Sequence, residues 1–337
     1  MKAVYLESVQ KLTEKELPVP RPGDRQVLVK MKAVGICGSD IHYWHKGRIG
    51  PFVVEQPMIL GHECAGEVVE AGKDVANLAV GDRVVIEPGV PCYTCEYCKS
   101  GKYNLCPDIR FFATPPVDGS MVEYVAFDAD LVFRIPEEIK DFGLATMVEP
   151  MAVGVFATRT VKPALGDNAV VFGAGVIGIV CMLAAKAAGC AAVTVADIRD
   201  DRLERAKELG ADNVVNLKTD TLSDSCYDIG YEATGAEACY ALASKCIKPG
   251  GKLSLVGMGP ELQSLPIVDF VCREIALLPS FRYANAYPAA LKLLKAHHEK
   301  LEKIITHRFA FSLESVDEAI RTAYSDPTAG KVVVDFQ

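Results

Sequence analysis

Four cysteines lie within a fifteen-residue segment. Cys92, Cys95, Cys98 and Cys106 have the spacing C-x2-C-x2-C-x7-C. Four thiolates on a short segment suit a closed tetrahedral zinc site with no open position, so we predict a structural zinc ion. An iron–sulfur cluster is the alternative, because bacterial ferredoxins use C-x2-C-x2-C-x3-C-P and Pro107 follows the last cysteine. The last spacing is seven rather than three and no second cluster motif occurs, so zinc is favoured.

A second group of residues that can bind metal is spread over more of the chain. Cys37 lies in the segment GICGSDIH, and His62 and Glu63 follow Gly61. Each is weak evidence by itself, since a single cysteine or histidine is more often a packed residue. Adjacent side chains of a regular strand face opposite ways, so His62 and Glu63 can reach one metal only if the chain bends. Gly61 permits such a bend.

Glu149 is a further candidate. It precedes Pro150, so we expect an extended residue at the boundary between a β-rich half and an α/β half, where a cleft is expected. The alternative is that Glu149 faces solvent at the start of a helix.

A glycine-rich segment, GAGVIG, follows a predicted strand and opens a predicted helix. Gly173 allows the tight turn, Gly175 lets the backbone approach a pyrophosphate, and Gly178 lets helix and strand pack closely. The pyrophosphate would lie at the helix N-terminus, where free N–H groups favour an anion. The segment therefore predicts a dinucleotide site.

The next predicted strand ends at an acidic residue, Asp197, which is placed to accept the ribose hydroxyls of the cofactor. Because a carboxylate repels a 2′-phosphate, NAD is favoured over NADP. Arg199 and Arg202 oppose this preference, since an arginine beside the acid can accommodate a phosphate. The alternative role for Asp197 is to cap the following helix.

Two kinds of sequence pattern predict the strands and helices that position these residues. Residues 1–150 contain short β-branched and apolar runs punctuated by Gly and Pro, which predicts strands and turns. Residues 151–281 alternate short apolar runs with helical patterns, which predicts βαβ units and a doubly wound parallel sheet of the Rossmann type. The tail continues with a helix, a strand near Phe309, a second helix and a last strand over Lys331–Phe336. The predicted fold class is therefore α/β with a second, β-rich domain.

Length and composition agree with this organisation. At about 150 residues per domain, 337 residues predict roughly two domains. Half of the residues are apolar and the net charge is −8, which favours a globular protein and opposes a nucleic-acid or anionic-membrane partner. Residues 168–185 are uncharged, but their glycines favour a strand, turn and helix over a membrane span. With twelve cysteines and no export signal, we expect a reducing, cytoplasmic compartment.

Four longer segments carry a family resemblance. They are CGSDIHYWHKGRIG at 37–50, RFFATPPVDG at 110–119, VEPMAVGV at 148–155 and FRYANAYP at 281–288. With these, the chain resembles the zinc-dependent medium-chain alcohol dehydrogenases over nearly its whole length, and in particular their polyol branch of sorbitol (L-iditol), xylitol and arabinitol dehydrogenases. The resemblance implies a GroES-like catalytic domain over residues 1–148 and 283–337 and a Rossmann NAD-binding domain over residues 149–282. It also implies a homotetramer.

The resemblance also implies roles for individual residues. Cys37, His62 and Glu63 would hold a catalytic zinc, with Glu149 either a fourth ligand or the partner of a zinc-bound water. Ser39 and His42 match proton-relay positions, and Tyr43, Glu149, Arg282 and Tyr283 match positions that line the polyol pocket. The positions that match cofactor contacts are Gly173, Gly175, Ile177, Gly178, Asp197, Arg202, Val256, Ser280, Phe281 and Arg282. Two zinc ions per chain are expected, and the seven remaining cysteines are expected to pack as small buried residues.

The implied reaction is the oxidation of a secondary hydroxyl of a polyol to a ketose, through a zinc alkoxide and hydride transfer to nicotinamide. Zinc lowers the pKa of bound water from 15.7 to about 7, and a bound alcohol should respond similarly. Zn²⁺ with Cys37, Glu63 and neutral His62 is formally neutral. Ionised Glu149 in the same shell would add a negative charge, so we prefer it as the partner of the water, with both arrangements open.

Other functions compete with this one. An L-threonine or butanediol dehydrogenase would use the same zinc chemistry. A non-enzymatic zinc ribbon would need only the four clustered cysteines, but the negative charge opposes it. A zinc-free quinone reductase is disfavoured by Cys37, His62 and Glu63.

Overall fold

The computed structural model describes residues 1–337, which form two compact units. The first comprises Met1–Glu149 together with Leu294–Gln337, and the second comprises Pro150–Leu293. The first boundary lies one residue from the limit expected from the sequence, and the second lies eleven residues beyond it, inside a helix.

Short strands dominate the first 147 residues. The strands are β1 (Lys2–Ser8), β2 (Lys11–Glu16), β3 (Gln26–Ile36), β4 (Arg48–Ile49), β5 (Phe52–Val53), β6 (Met58–Ile59), β7 (Glu63–Ala71), β8 (Arg83–Ile86), β9 (Gly89–Val90), β10 (Arg110–Phe111), β11 (Tyr124–Asp128) and β12 (Val132–Arg134). The helices are α1 (Gly38–Lys46), α2 (Glu96–Lys99) and α3 (Phe142–Ala145), with 3₁₀ turns at Tyr103–Leu105 and Ala129–Leu131.

Helices and strands alternate in the rest of the chain. The helices are α4 (Val148–Val161), α5 (Val176–Ala187), α6 (Asp200–Glu208), α7 (Glu237–Cys246), α8 (Ile267–Cys272), α9 (Tyr287–Leu301) and α10 (Leu313–Ser325), with a 3₁₀ turn at Glu302–Ile304. The strands are β13 (Asn168–Phe172), β14 (Ala192–Asp197), β15 (Asn213–Asn216), β16 (Tyr227–Glu232), β17 (Ile247–Leu255), β18 (Ala276–Pro279), β19 (Ile305–Ala310) and β20 (Lys331–Asp335).

The first unit is built around the long strand β3. Its sheet has the order β12-β8-β7-β3-β20-β19, and β11 also pairs with β3. β3 is antiparallel to β7, β11 and β20, so the last strand of the chain lies beside one of the first. Helix α10 packs on this sheet through Val316, Ala319 and Ile320, which recur at the spacing of one helix face.

The second unit is a six-stranded parallel sheet with the order β15-β14-β13-β16-β17-β18. Numbered within the unit, this is the order 3-2-1-4-5-6 of the Rossmann fold. Ala169–Phe172 is buried without a break, as expected of a strand covered by helices on both faces. In such a sheet, ligands bind at the carboxyl ends of the strands where the strand order reverses, here β13 and β16.

The predicted α/β class is confirmed. The structure adds the helix α1 inside the β-rich half and the edge strands β15 and β18, which the apolar runs did not reveal. Two of the cysteines that were expected to be buried, Cys226 and Cys272, are exposed, and Cys190 is half-buried. No helix combines the length and apolarity needed to cross a membrane.

Candidate active site

Two strand ends of the first unit bring the predicted zinc ligands together. Gly35, at the end of β3, pairs with Glu63 at the start of β7, and Cys37 follows two residues later. A Cβ atom on Gly35 would lie 2.3 Å from Glu63 Oε2, so a side chain at this position would displace the Glu63 carboxylate. The sheet register therefore carries the Glu63 carboxylate across β3 towards Cys37.

The ligand atoms of Cys37, His62 and Glu63 all lie within 4.8 Å of one another. His62 and Glu63 are buried and Cys37 is half-buried. The bend expected at Gly61 is present: its φ is +86°, and a Cβ atom would lie 2.8 Å from Val34 Cγ1. A thiolate, an imidazole and a carboxylate at this separation suit a zinc ion with an open position.

A fully buried carboxylate joins the two ligand segments. Asp40 Oδ2 accepts a hydrogen bond from the Cys37 N–H at 2.9 Å, and Asp40 Oδ1 accepts one from the Gly61 N–H at 2.9 Å. The Cys37 bond is half of a capping box that starts α1. Asp40 Oδ1 also lies 3.8 Å from His62 Nδ1. One side chain thus fixes the backbone on both sides of the metal site.

The electrostatics of this pocket favour a cation. Burial alone would lower the pKa of His62, but the Cys37 thiolate, with Asp40 and Glu149, raises that pKa to about 10. The same anionic groups would stabilise Zn²⁺. The donor set and its charge therefore fit the expected metal.

A residue that the sequence did not reveal completes the pocket. Lys331, the first residue of β20, is 3% exposed. Its ammonium group donates to the Ile36 backbone oxygen at 3.1 Å and to Glu63 Oε2. The one signal in the sequence is a lysine that opens the apolar run VVV, and nothing local connects it with Glu63.

Glu149 differs from its prediction. It lies in the first turn of α4, so it is helical rather than extended. Pro150 is compatible with this because a proline in the first turn removes no helical hydrogen bond. Glu149 is also 6% exposed, so it does not face solvent. It is outside the close ligand group, although its charge acts on His62 and Lys331.

Helix α1 carries the predicted relay and one predicted substrate residue. Ser39 is half-buried and His42, three positions further along the helix, is exposed. Partial burial of the ring, together with the nearby Lys46 and His45, lowers the pKa of His42 from its usual 6.5, which favours the neutral form of this histidine. Tyr43 is buried.

The four clustered cysteines form the second metal-competent group. Cys95 Sγ and Cys98 Sγ are 3.4 Å apart, and Cys92 Sγ and Cys98 Sγ are 3.9 Å apart. A tetrahedral zinc with Zn–S near 2.3 Å places its sulfurs about 3.8 Å apart. Backbone N–H groups of Cys92, Cys95 and Cys98 point at neighbouring sulfurs, as expected where thiolates carry charge. The geometry fits a structural zinc.

The glycine-rich segment adopts the expected turn at the end of β13. Gly173 has φ +99°, and a Cβ atom on Gly178 would lie 1.8 Å from the Gly173 carbonyl oxygen. Nothing lies within 4 Å of a Cβ atom built on Gly175, which precedes helix α5. Space is therefore open where a pyrophosphate would lie on the helix N-terminus.

Asp197 lies beside this turn. Its Oδ2 accepts from the Ala174 N–H at 2.7 Å, and its Oδ1 accepts from the N–H groups of Ile198 and Arg199 at 2.7 and 3.1 Å. The carboxylate thus ties the glycine-rich turn to the end of β14. The Arg199 guanidinium makes two hydrogen bonds to Asp201, at 2.9 and 2.8 Å.

The other residues matched to cofactor and substrate positions lie in the second unit. Ile177 is on the first turn of α5, Arg202 is on α6, and Val256 directly follows β17. Ser280 Oγ is buried without a hydrogen-bond partner. Arg282 has φ +52° and lies 4.9 Å from the centre of the Phe281 ring. Tyr283 is buried.

Family models match both parts of the chain. Residues 23–137 match the alcohol dehydrogenase GroES-like domain, and residues 176–296 match the zinc-binding dehydrogenase model. The chain belongs to the zinc-containing alcohol dehydrogenase family. It combines the GroES-like domain of that family with a Rossmann domain, as the resemblance implied.

Individual relatives place the chain in the polyol branch. The sorbitol dehydrogenase of Gallus gallus is 42% identical and covers 95% of this chain and 92% of its own length. The sorbitol dehydrogenase of Arabidopsis thaliana is 40% identical, and the match covers 99% of this chain and 95% of that protein. The solved structure of L-idonate 5-dehydrogenase from Escherichia coli is 28% identical in sequence and has a TM-score of 0.91. The match covers 99% of this chain and 98% of that chain.

Asp40 offers a test of the zinc centre in this dehydrogenase. Asp40→Asn should weaken binding of the catalytic zinc by about ten- to a hundredfold, because one amide oxygen cannot accept both backbone N–H bonds. Zinc per chain, counted after dialysis against a chelator, should fall from two towards one. Asp130→Asn, which alters an exposed carboxylate paired with Arg25 at 2.7 Å, is the control. Retention of both zinc ions by Asp40→Asn would contradict the role of Asp40.

Proposed function

We propose that the protein is an NAD-dependent zinc polyol dehydrogenase that oxidises a secondary hydroxyl of a sugar alcohol, such as sorbitol or xylitol, to a ketose. The observation that carries this proposal is the Cys37–His62–Glu63 cluster on a chain of the sorbitol dehydrogenase branch that also holds a Rossmann sheet. A nicotinamide dinucleotide can accept the hydride, and a zinc ion can lower the pKa of the alcohol, so the two sites together supply both parts of the oxidation.

Cys37, His62 and Glu63 would hold the catalytic zinc. When bound, zinc supplies a Lewis acid that lowers the pKa of a coordinated hydroxyl. Asp40 fixes the backbone of the first two ligand segments, and Lys331 fixes one oxygen of Glu63, leaving the other carboxylate oxygen for the metal. Glu149 lies outside this group, which supports a role as the partner of a water molecule rather than as a direct ligand.

Ser39 and His42 would carry the hydroxyl proton to solvent. They lie on one face of α1, with Ser39 half-buried and His42 exposed, so the proton would move outward along the helix. The lowered pKa of His42 favours its neutral form, which can accept the proton. Tyr43, Arg282 and Tyr283 would donate hydrogen bonds to the other hydroxyls of the polyol.

NAD is the proposed cofactor rather than NADP. The buried Asp197 carboxylate lies beside the pyrophosphate turn, where it would accept the ribose hydroxyls and repel a 2′-phosphate. Arg199 is held by Asp201, which makes it less available to neutralise such a phosphate. Ser280 Oγ, buried and unpartnered, supports a cofactor contact in that segment.

A substrate panel tests the function. Sorbitol, xylitol and arabinitol should be oxidised with NAD with kcat/KM at least about tenfold above L-threonine and 2,3-butanediol, since one well-placed hydrogen bond of about 1.4 kcal/mol gives that factor. NADP should be a poorer cofactor by a similar factor. Chelation should abolish the activity and added zinc should restore it.

Each competing function gives a different result. Faster oxidation of L-threonine or butanediol than of sorbitol and xylitol would overturn the polyol assignment. A single zinc per chain without NAD binding would favour the zinc-ribbon hypothesis.

His42 gives a test of the proton path. Because protonated His42 cannot accept a proton, the rate of the unmodified enzyme should fall as the pH drops below the lowered pKa of this histidine. His42→Ala should be slower at neutral pH by about tenfold or more and should lose that pH dependence. Imidazole in the buffer should restore the rate. His298→Ala on α9 is the control, and an unchanged pH profile in His42→Ala would exclude the relay.

We further propose that the enzyme works in the cytoplasm as a homotetramer. Twelve free cysteines, four of them clustered in one metal-competent group, favour a reducing compartment. The apolar side chains of Leu262, Val268 and Val271 are 91%, 73% and 69% exposed, which supports an interface between subunits. Light scattering should give the mass of four 36.4 kDa chains, and Val268→Asp with Val271→Asp should give smaller species. A monomeric unmodified protein would refute this assembly.

A further inference from the structure

Lys331 is the only lysine or arginine of the chain that is buried. Its ammonium group has three donors, and the structure gives it a backbone carbonyl, Ile36, and the carboxylate of Glu63 as acceptors. The two residues are 268 positions apart in sequence. They meet because β20 pairs with the end of β3, where Val332 lies opposite Ile36.

The charged groups that act on Lys331 are acidic: Glu63, the Cys37 thiolate and Glu149. The buried carboxyl groups of the first unit belong to Asp40, Glu63, Glu87 and Glu149. A zinc ion bound by Cys37 and Glu63 would have its own charge cancelled by those two ligands. Without another cation, a neutral metal centre among these carboxylates would repel any anionic ligand that enters.

We propose that Lys331 is a positioning residue of the catalytic zinc site: it holds Glu63 in its ligating orientation and supplies the positive charge that lets the site accept an anionic ligand. This inference rests on the proposed function, because it requires zinc at Cys37, His62 and Glu63. Hydride removal is easier from a deprotonated alcohol, so tolerance of negative charge at this metal is a requirement of the reaction.

Cobalt-substituted enzyme and azide test the charge directly. Azide binding to cobalt at the catalytic site is followed by the visible spectrum, which does not depend on turnover. Lys331→Met and Lys331→Gln, which remove the charge, should bind azide about tenfold or more weakly. Lys331→Arg, which keeps it, should stay within about twofold of the unmodified enzyme.

Lys295→Met is the matched control. Lys295 pairs with Glu138 at 2.7 Å, and both side chains are half exposed, so the same substitution there should leave azide binding unchanged. A folded neutral Lys331 variant that loses cobalt only at the catalytic site would also support the proposal, because Glu63 would then no longer be positioned.

Three results would count against the proposal or its basis. Equal azide affinity in the neutral variants and the unmodified enzyme would overturn it. Loss of the far-ultraviolet circular dichroism of the fold in both neutral variants would assign Lys331 to folding and overturn it as well. If the unmodified enzyme binds metal only at the four cysteines, the proposed function itself is refuted, and with it the basis for a role of Lys331.

Discussion

The backbone register of three strands is the constraint on which the metal site depends. Glu63 reaches the ligand group because it pairs with Gly35, and Lys331 reaches Glu63 because the next residue pairs with Ile36. A shift of one residue in either pairing would turn these side chains to the other face of the sheet. The large apolar core around β3, β7 and β20 therefore stabilises the register and, through it, the ligand geometry.

Charge is the second constraint. A pocket with this many buried carboxylates is costly unless cations or hydrogen bonds compensate it. Asp40 is compensated by two backbone N–H groups, Glu63 by Lys331, and the thiolate and imidazole by the metal that the pocket favours. The ligand number would serve catalysis, because three protein ligands leave one tetrahedral position of a bound zinc ion open for substrate.

The sequence predicted the α/β half of the molecule well. Continuous apolar runs of the parallel strands and the GAGVIG turn are local signals, and the observed β13, α5 and β14 follow the predicted order of strand, glycine-rich turn, helix and strand. The extended conformation predicted for Glu149 was wrong. The rule for a residue before proline does not take into account that proline is tolerated in the first turn of a helix. The edge strands β15 and β18 were missed because half-exposed strands lack a continuous apolar run.

The two metal groups differ in how far their ligands are spread along the chain, and this explains which could be predicted from residues alone. The four cysteines of the structural group lie on one short segment, so their spacing specifies the geometry. Cys37, His62 and Glu63 meet only through the pairing of β3 with β7, and Lys331 joins them from the last strand of the chain. No local pattern encodes such a meeting. Residue types alone marked Cys37, His62 and Glu63 as possible ligands, but the family resemblance was needed to assign them to one catalytic zinc. Lys331, which no motif marks, required the structure.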